Sequence, residues 1–197
     1  MSTSKLTLIV VLAFVLLLGG CGCSSYNGLV KVDQDVKTHW SNVETNYQRR
    51  TDLYGSVIKV IEGSANFEKS TLKEVINARA NATKVQVDLN DSASLTRYQQ
   101  AQGQLQSSFS RLMAVAESYP DLKTTQQFKD FQTQIEGTEN RINNARRDFN
   151  SAVNSYNLKV KTFPNNIFAG IFNYHERGYY KADPGSENAP EINFNIK

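Results

Sequence analysis

The chain has 197 residues, 40% of them hydrophobic, and a net charge of +3. That length suits one domain with one core. The charge is small and well mixed, without a basic block or a basic–aromatic array, which excludes nucleic acid as an expected partner. Gln, Asn and Ser are plentiful in the middle of the chain, a composition that favours long solvated helix faces over a compact enzyme core. None of the four prolines lies between Tyr26 and Tyr119, so no residue there lacks the amide that a helix needs.

Lys5 is followed by a run from Leu6 to Leu18 that is apolar apart from Thr7, and then by Gly19-Gly20-Cys21. The run is shorter than the roughly 20 residues of a comfortable membrane span and matches the apolar region of a secretory signal. Leu18-Gly19-Gly20-Cys21 looks like a bacterial lipobox, which makes residues 1–20 a signal peptide and Cys21 the lipidated first residue. The alternative is an uncleaved apolar anchor helix that includes Gly19 and Gly20. Either way the chain is expected to be tethered to a cell membrane or outer membrane and to face away from the cytoplasm, since two or more acyl chains anchor stably. Residues 21–25 read as a linker, with Cys23 an idle member of it. No cysteine follows Cys23, so no disulfide or thiol chemistry is expected in the folded part.

Residues 26–163 read as a helical bundle. From Tyr26 to Ile61 one heptad register places Leu29, Val36, Val43 and Val57 on one seam position and Trp40, Tyr47, Tyr54 and Ile61 on the other, with Asp33 and Arg50 as polar interruptions. A bend or break is expected between Arg50 and Gly55, where Asp52 could cap a new start and Gly55 weakens the helix. Gly63–Asn66 reads as a turn. Phe67, Leu72, Val75, Ile76, Arg79 and Ala82 mark a second helix that fades near Val87, and Asp91 or Ser92 is a plausible N-cap for the third. In that third helix Leu95, Tyr98, Gln102, Leu105, Phe109, Leu112, Ala116 and Tyr119 recur at three and four, and Pro120 is expected to stop it.

Thr124 or Thr125 starts the last helix, and Pro164 closes it. Phe128, Phe131, Ile135, Ile142, Ala145, Phe149, Ala152, Tyr156, Val160 and Phe163 form its apolar stripe. Beside this stripe run Glu139, Asn143, Arg146, Asn150, Asn154 and Asn157, roughly 90° round the helix. The tail, residues 164–197, is rich in aromatics without sustained period. It is expected as a strap on the bundle or an exposed partner patch, becoming extended or disordered after the turn signal Asp183-Pro184-Gly185-Ser186.

The sequence holds no catalytic constellation. His39 and His175 lack metal-ligand spacing, no Glu-x-x-His pair of the di-iron type occurs, and neither a phosphate loop nor a nucleophile order is visible. No metal and no cofactor is expected. The candidate functional residues are therefore the polar ones on or beside the core faces: Asp33, Arg50, Asp52, Glu68, Arg79, Glu139, Asn143, Arg146, Asn150, Asn154 and Asn157. They read either as a buried hydrogen-bonded network that fixes helix register or as a polar groove for a peptide or partner helix.

Several segments carry a family likeness. Tyr26-Asn27-Gly28-Leu29-Val30, Trp40-Ser41-Asn42-Val43 and Tyr47-Gln48-Arg49-Arg50-Thr51-Asp52-Leu53 open it, and Phe67-Glu68 and Ala78-Arg79-Ala80 continue it. Tyr119-Pro120-Asp121-Leu122, Glu139-Asn140-Arg141-Ile142, Ala145-Arg146-Arg147-Asp148-Phe149-Asn150, Tyr156-Asn157 and Phe163-Pro164 complete it. In this order the chain resembles the LemA family from about Tyr26 to Phe194. It departs at Leu53-Tyr54-Gly55-Ser56, where the family usually reads Leu-Ile-Pro-Asn. The family also commonly carries an N-terminal transmembrane helix, whose place the lipobox takes here. The resemblance implies antiparallel helices outside the cytoplasmic face, and it brings no enzymatic activity, cofactor or ligand.

Together these readings predict an all-α chain, an antiparallel long-helix bundle of four-helix type with an N-terminal lipoprotein signal or anchor and an irregular aromatic C-terminal tail. The expected function is that of an interaction or scaffolding module of the bacterial cell envelope, not an enzyme, with the membrane and an envelope protein as partners. The alternative is an extracytoplasmic sensor or peptide or small-ligand binder with a polar cleft between helices.

Overall fold

The computed structural model describes residues 3–63 and 67–181. Every regular element among them is helical: α1 (Thr3–Glu62), α2 (Lys69–Ala82), α3 (Ser92–Ala116), α4 (Pro120–Lys123), α5 (Gln126–Lys161) and α6 (Asn165–Ile171). The turn expected at Gly63–Asn66 falls mostly on residues outside this description, as do the turn at Asp183–Ser186, the end of the tail and the side chain of Cys21. No helix among the described residues is long and apolar enough to cross a membrane.

Cap chemistry sets the helix starts. Asp91 precedes α3 and its carboxylate accepts from the backbone N–H groups of Ala93 and Ser94 at 2.8 and 3.1 Å, which satisfies two of the donors left free at a helix start. Thr125 does the same for α5 through the N–H of Phe128 at 3.3 Å. Pro120 does not itself end α3. That helix stops at Ala116, and Pro120 opens the single turn α4, the position where a missing N–H and a preset φ cost least.

The break expected between Arg50 and Gly55 does not occur: α1 is one helix of 60 residues. A helical Gly costs only about 1 kcal/mol relative to Ala, and here its missing Cβ is used. A methyl on Gly55 would lie 3.2 Å from the Arg79 guanidinium, whose Nε donates to the Thr51 carbonyl oxygen at 3.2 Å. Asp52 caps nothing. It is exposed and accepts from Gln48 one turn earlier at 3.0 Å. The helix also runs uninterrupted through residues 21–25, the stretch read as a linker.

Paired residues give the helix directions. Along α1, Trp40 packs on Phe149 and Tyr54 reaches Glu139, so α5 runs antiparallel to it. Trp40 also meets Tyr98, and Tyr54 stacks on Phe109, so α3 runs parallel to α1. Glu74 pairs with Arg111, while Ala82 and Thr83 share a groove with Tyr98 and Gln102, which sets α2 antiparallel to α3. The predicted seam is buried throughout: Leu29, Val36, Trp40, Val43, Tyr47, Tyr54, Val57 and Ile61 all face inward. So do Leu95, Leu105, Phe109 and Leu112 on α3, and Phe128, Ile142, Phe149 and Tyr156 on α5. Burial of each such side chain stabilises by roughly 1.5–3 kcal/mol. Phe163, counted in the α5 stripe by spacing, is 79% exposed because α5 ends at Lys161 and Thr162 leaves the helix with extended backbone. Ile76 on α2 is also exposed.

The core divides in two. One group gathers Leu29 to Tyr47, Leu95, Tyr98 and Ile142 to Val160, joined by Ala169 and Tyr180. The other gathers Tyr54 to Ile61, Phe67, Val75, Ala82, Leu105 to Ala116, Leu122 and Phe128. Polar residues lie between them.

Candidate functional site

Arg50 occupies the gap between the two core groups. It is 1% exposed. Its Nη2 donates to the Gln102 side-chain oxygen at 2.7 Å and to the Gln102 carbonyl oxygen at 3.1 Å, and its Nη1 to Glu139 at 3.4 Å and Gln106 at 3.5 Å. The guanidinium also lies 4.6 Å from the Tyr47 ring centroid, a cation–π contact. Three helices therefore meet on one cation, and sliding any of them by a turn would leave a buried charge without partners. Burial raises the pKa of the neighbouring Tyr54 hydroxyl, with Arg50 opposing that shift and Glu139 adding to it. Burial likewise raises that of Tyr98. Both phenols stay neutral at any ordinary pH.

A second polar group sits two turns along α5. Arg146 Nε donates to the Tyr47 hydroxyl at 2.8 Å. Its guanidinium lies 4.5 Å from the Tyr180 ring centroid, and the Tyr47 and Tyr180 hydroxyls hydrogen-bond.

The asparagines do something different. After α6 the chain turns at Asn173, which takes a left-handed φ of 60°, a conformation Asn tolerates better than most residues. It then runs without regular structure over 174–181 along α5. The Asn157 side chain donates to the Arg177 carbonyl oxygen at 2.9 Å and accepts from the Arg177 N–H at 2.8 Å. Asn150 makes the same pair with Tyr180, both at 2.8 Å. Seven helical residues rise about 10.5 Å and three extended residues advance about 10 Å, so the two spacings coincide. Each amide satisfies one residue's N–H and C=O as a neighbouring strand would. Between these rungs Asn154 accepts from the Tyr179 hydroxyl at 3.3 Å, and Tyr156 donates to the His175 carbonyl oxygen at 2.9 Å. Arg177 is itself buried over the Tyr156 ring and donates to Asp33 at 2.6 Å and to Asn90 at 3.3 Å.

The predicted polar set thus falls into parts. Arg50 and Glu139 form the layer, and Arg79 ties α2 to α1. Arg146, Asn150, Asn154, Asn157 and, through Arg177, Asp33 hold the strap. Asn143 lies exposed on a shallow groove of about 530 Å³ with Asn140, Asn144 and Arg147, at the point where Tyr180 and Lys181 leave. Asp52 and Glu68 join none of these. Glu68 is exposed before α2 and accepts from Ser70. Gln102, Gln106, Arg177 and Tyr180 were absent from the predicted set. Gln102 interrupts an otherwise apolar α3 stripe, and that interruption was the available signal. Nothing local marks Arg177. Among the described residues, no group of three or more His, Cys, Asp or Glu side chains could hold a metal.

A chain whose described regular elements are all helical, and most of whose polar stripe aligns those helices and straps the segment after α6, is a helical packing module. The chain belongs to the LemA family, whose sequence profile matches residues 39–194. It is similar to magnetosome protein MamQ 2 of Paramagnetospirillum magneticum, 26% identical over 184 residues that cover 82% of this chain and 66% of that protein. It is also similar to magnetosome protein MamQ of Magnetospirillum gryphiswaldense, 24% identical with coverage of 82% and 66%. The protein LemA of Metamycoplasma hominis is 25% identical over 156 residues, with coverage of 79% and 68%. The chain spans just under two thirds of the MamQ relatives' length.

Proposed function

We propose that the protein is a lipid-anchored bundle of four-helix type, attached to a membrane through Cys21, that serves as an interaction or scaffolding module on the outer side of the bacterial cell envelope. The observation that carries this reading is the internal use of the polar stripe. Arg50, Arg146, Asn150 and Asn157 are all engaged within the chain, which builds a stiff body and leaves partner contact to its surface. The apolar run before Cys21 and the lipobox sequence support the anchor. Palmitate labelling in cells tests it: wild type is labelled and Cys21→Ala is not. Site-specific photo-crosslinkers at exposed positions such as Asn144 and Glu136 test the scaffold, with discrete adducts to envelope proteins expected. Absence of any adduct around the whole surface would overturn it.

A second reading rests on Asn143. It lies seven residues before Asn150, as Asn150 lies before Asn157, and it opens on the groove beside Tyr180. An extended peptide there would meet a third amide in register with the two already occupied. Titration with extended synthetic peptides, monitored by thermal shift, separates the readings. A ligand at 100 times its dissociation constant adds about 2.7 kcal/mol of stability, and Asn143→Ala would remove that gain.

A further inference from the structure

The fold turns around at α6. Chain directions bring α5 down beside the early part of α1, where a Cβ on Gly28 would meet the Lys159 stem. α6 then packs lower still: a Cβ on Gly22 would lie 3.1 Å from the Phe168 ring, and Phe172 meets Tyr26 edge-on at 4.9 Å. Ala169 is buried on that inner side. The opposite side is apolar and uncovered. Ile167 and Ile171 lie one turn apart on α6, 53% and 68% exposed, and Phe163 just before the helix is 79% exposed. A water-facing surface of this kind marks an interaction site.

We infer that this α6 surface is a foot that rests in the headgroup layer of the membrane that anchors the chain. The inference rests on the anchored reading above and deepens it. Two observations select a lipid surface as the occupant. First, α6 is in register with Gly22, the residue directly after Cys21, so a lipid on Cys21 holds the foot at the membrane surface. Second, the last turn of α5, just before α6, carries Lys159 and Lys161, with Lys161 59% exposed and paired to Glu176 at 2.8 Å, and lysines beside apolar side chains suit an anionic interface.

The test uses the full chain reconstituted in vesicles of phosphatidylcholine and phosphatidylglycerol with brominated acyl chains. Trp40, the single native tryptophan, is buried about 27 Å along α1 from Gly22 and serves as an unquenched background. In Ile171→Trp and, separately, Ile167→Trp, the added emission should be blue-shifted and at least halved by the brominated lipid. Ser107→Trp reports the other end of the molecule. Ser107 follows Gln106, which reaches Arg50 about 42 Å from Gly22, and its emission should match that in unbrominated vesicles. Chains that float with vesicles while both α6 tryptophans stay unquenched overturn the foot and leave the anchor standing. An α6 emission that shifts with protein concentration and not with bromination also overturns it, because a second copy then covers the patch. Chains that fail to float overturn anchor and foot together.

Discussion

The amide of Asn157 holds both backbone polar groups of Arg177, at 2.8 and 2.9 Å, so one buried side chain substitutes for an adjacent strand. Truncation leaves an N–H and a C=O inside the protein without partners, at a cost of about 1–3 kcal/mol. Asn157→Ala should lower stability by that amount and speed amide exchange over 174–181 while exchange in α3 keeps its rate. Asn154→Ala, which loses one exposed 3.3 Å bond, should cost under about 0.5 kcal/mol. Equal costs for the two variants would refute the ladder.

The Arg50 layer makes a second prediction. Arg50→Ala removes the cation shared by Gln102, Gln106 and Glu139 and should cost about 3–5 kcal/mol, as breaking a buried charged network does. Glu139→Gln should cost about 1 kcal/mol, because Glu139 keeps 25% of its side chain in water and its bond to Arg50 is long at 3.4 Å. Chemical denaturation of both variants checks the ranking.

Alkaline pH should weaken the fold. Burial raises the pKa of Tyr54 and of Tyr98. Between the unfolded value near 10 and the raised folded value, the unfolded chain has released a proton that the native chain retains. The unfolded state binds fewer protons there, so stability falls as pH rises, by up to about 1.4 kcal/mol per pH unit for each tyrosine. Unfolding midpoints should be flat up to about pH 9.5 and decline above it, and Tyr98→Phe should shallow the decline.

Two glycines of similar helical setting should respond in opposite ways. A Cβ on Gly103 meets nothing within 4 Å, whereas one on Gly55 would press on Arg79 at 3.2 Å. Gly103→Ala should therefore stabilise by about 0.5–1 kcal/mol. Gly55→Ala should lose that gain as the Arg79 bond to Thr51 is displaced, and a melting series separates the two.

Core truncations rank below these in subtlety but check the facing of the helices. Leu105→Ala and Phe149→Ala, both buried, should each cost about 2–5 kcal/mol. Lys159→Ala should cost under about 0.5 kcal/mol as a partly exposed change.

The long seams were legible because burial on one helix face leaves a period that the residues themselves display. Trp40 to Ile61, Leu95 to Leu112 and Phe128 to Val160 could be assigned from spacing, as could the caps Asp91 and Thr125. The supposed break at Gly55 was misread because a glycine's local cost is visible in sequence, while the guanidinium that fills its space comes from Arg79 on another helix. α6 was missed because seven residues are too short to establish a period. The stripe of asparagines was visible, but its purpose was not. A repeat of seven on a helix acquires meaning only beside a repeat of three on an extended segment, and the latter consists of backbone groups that leave no mark in composition.

The unbroken course of α1 carries a mechanical consequence. From Gly22 to Glu62 it spans about 60 Å, and no joint separates the end near Gly22 from the end beside Phe67 and Leu122. A sideways push on the far tip therefore cannot be absorbed by a hinge within the shaft. It reaches the base as a tilt, so a load borne at one extremity is felt at the other.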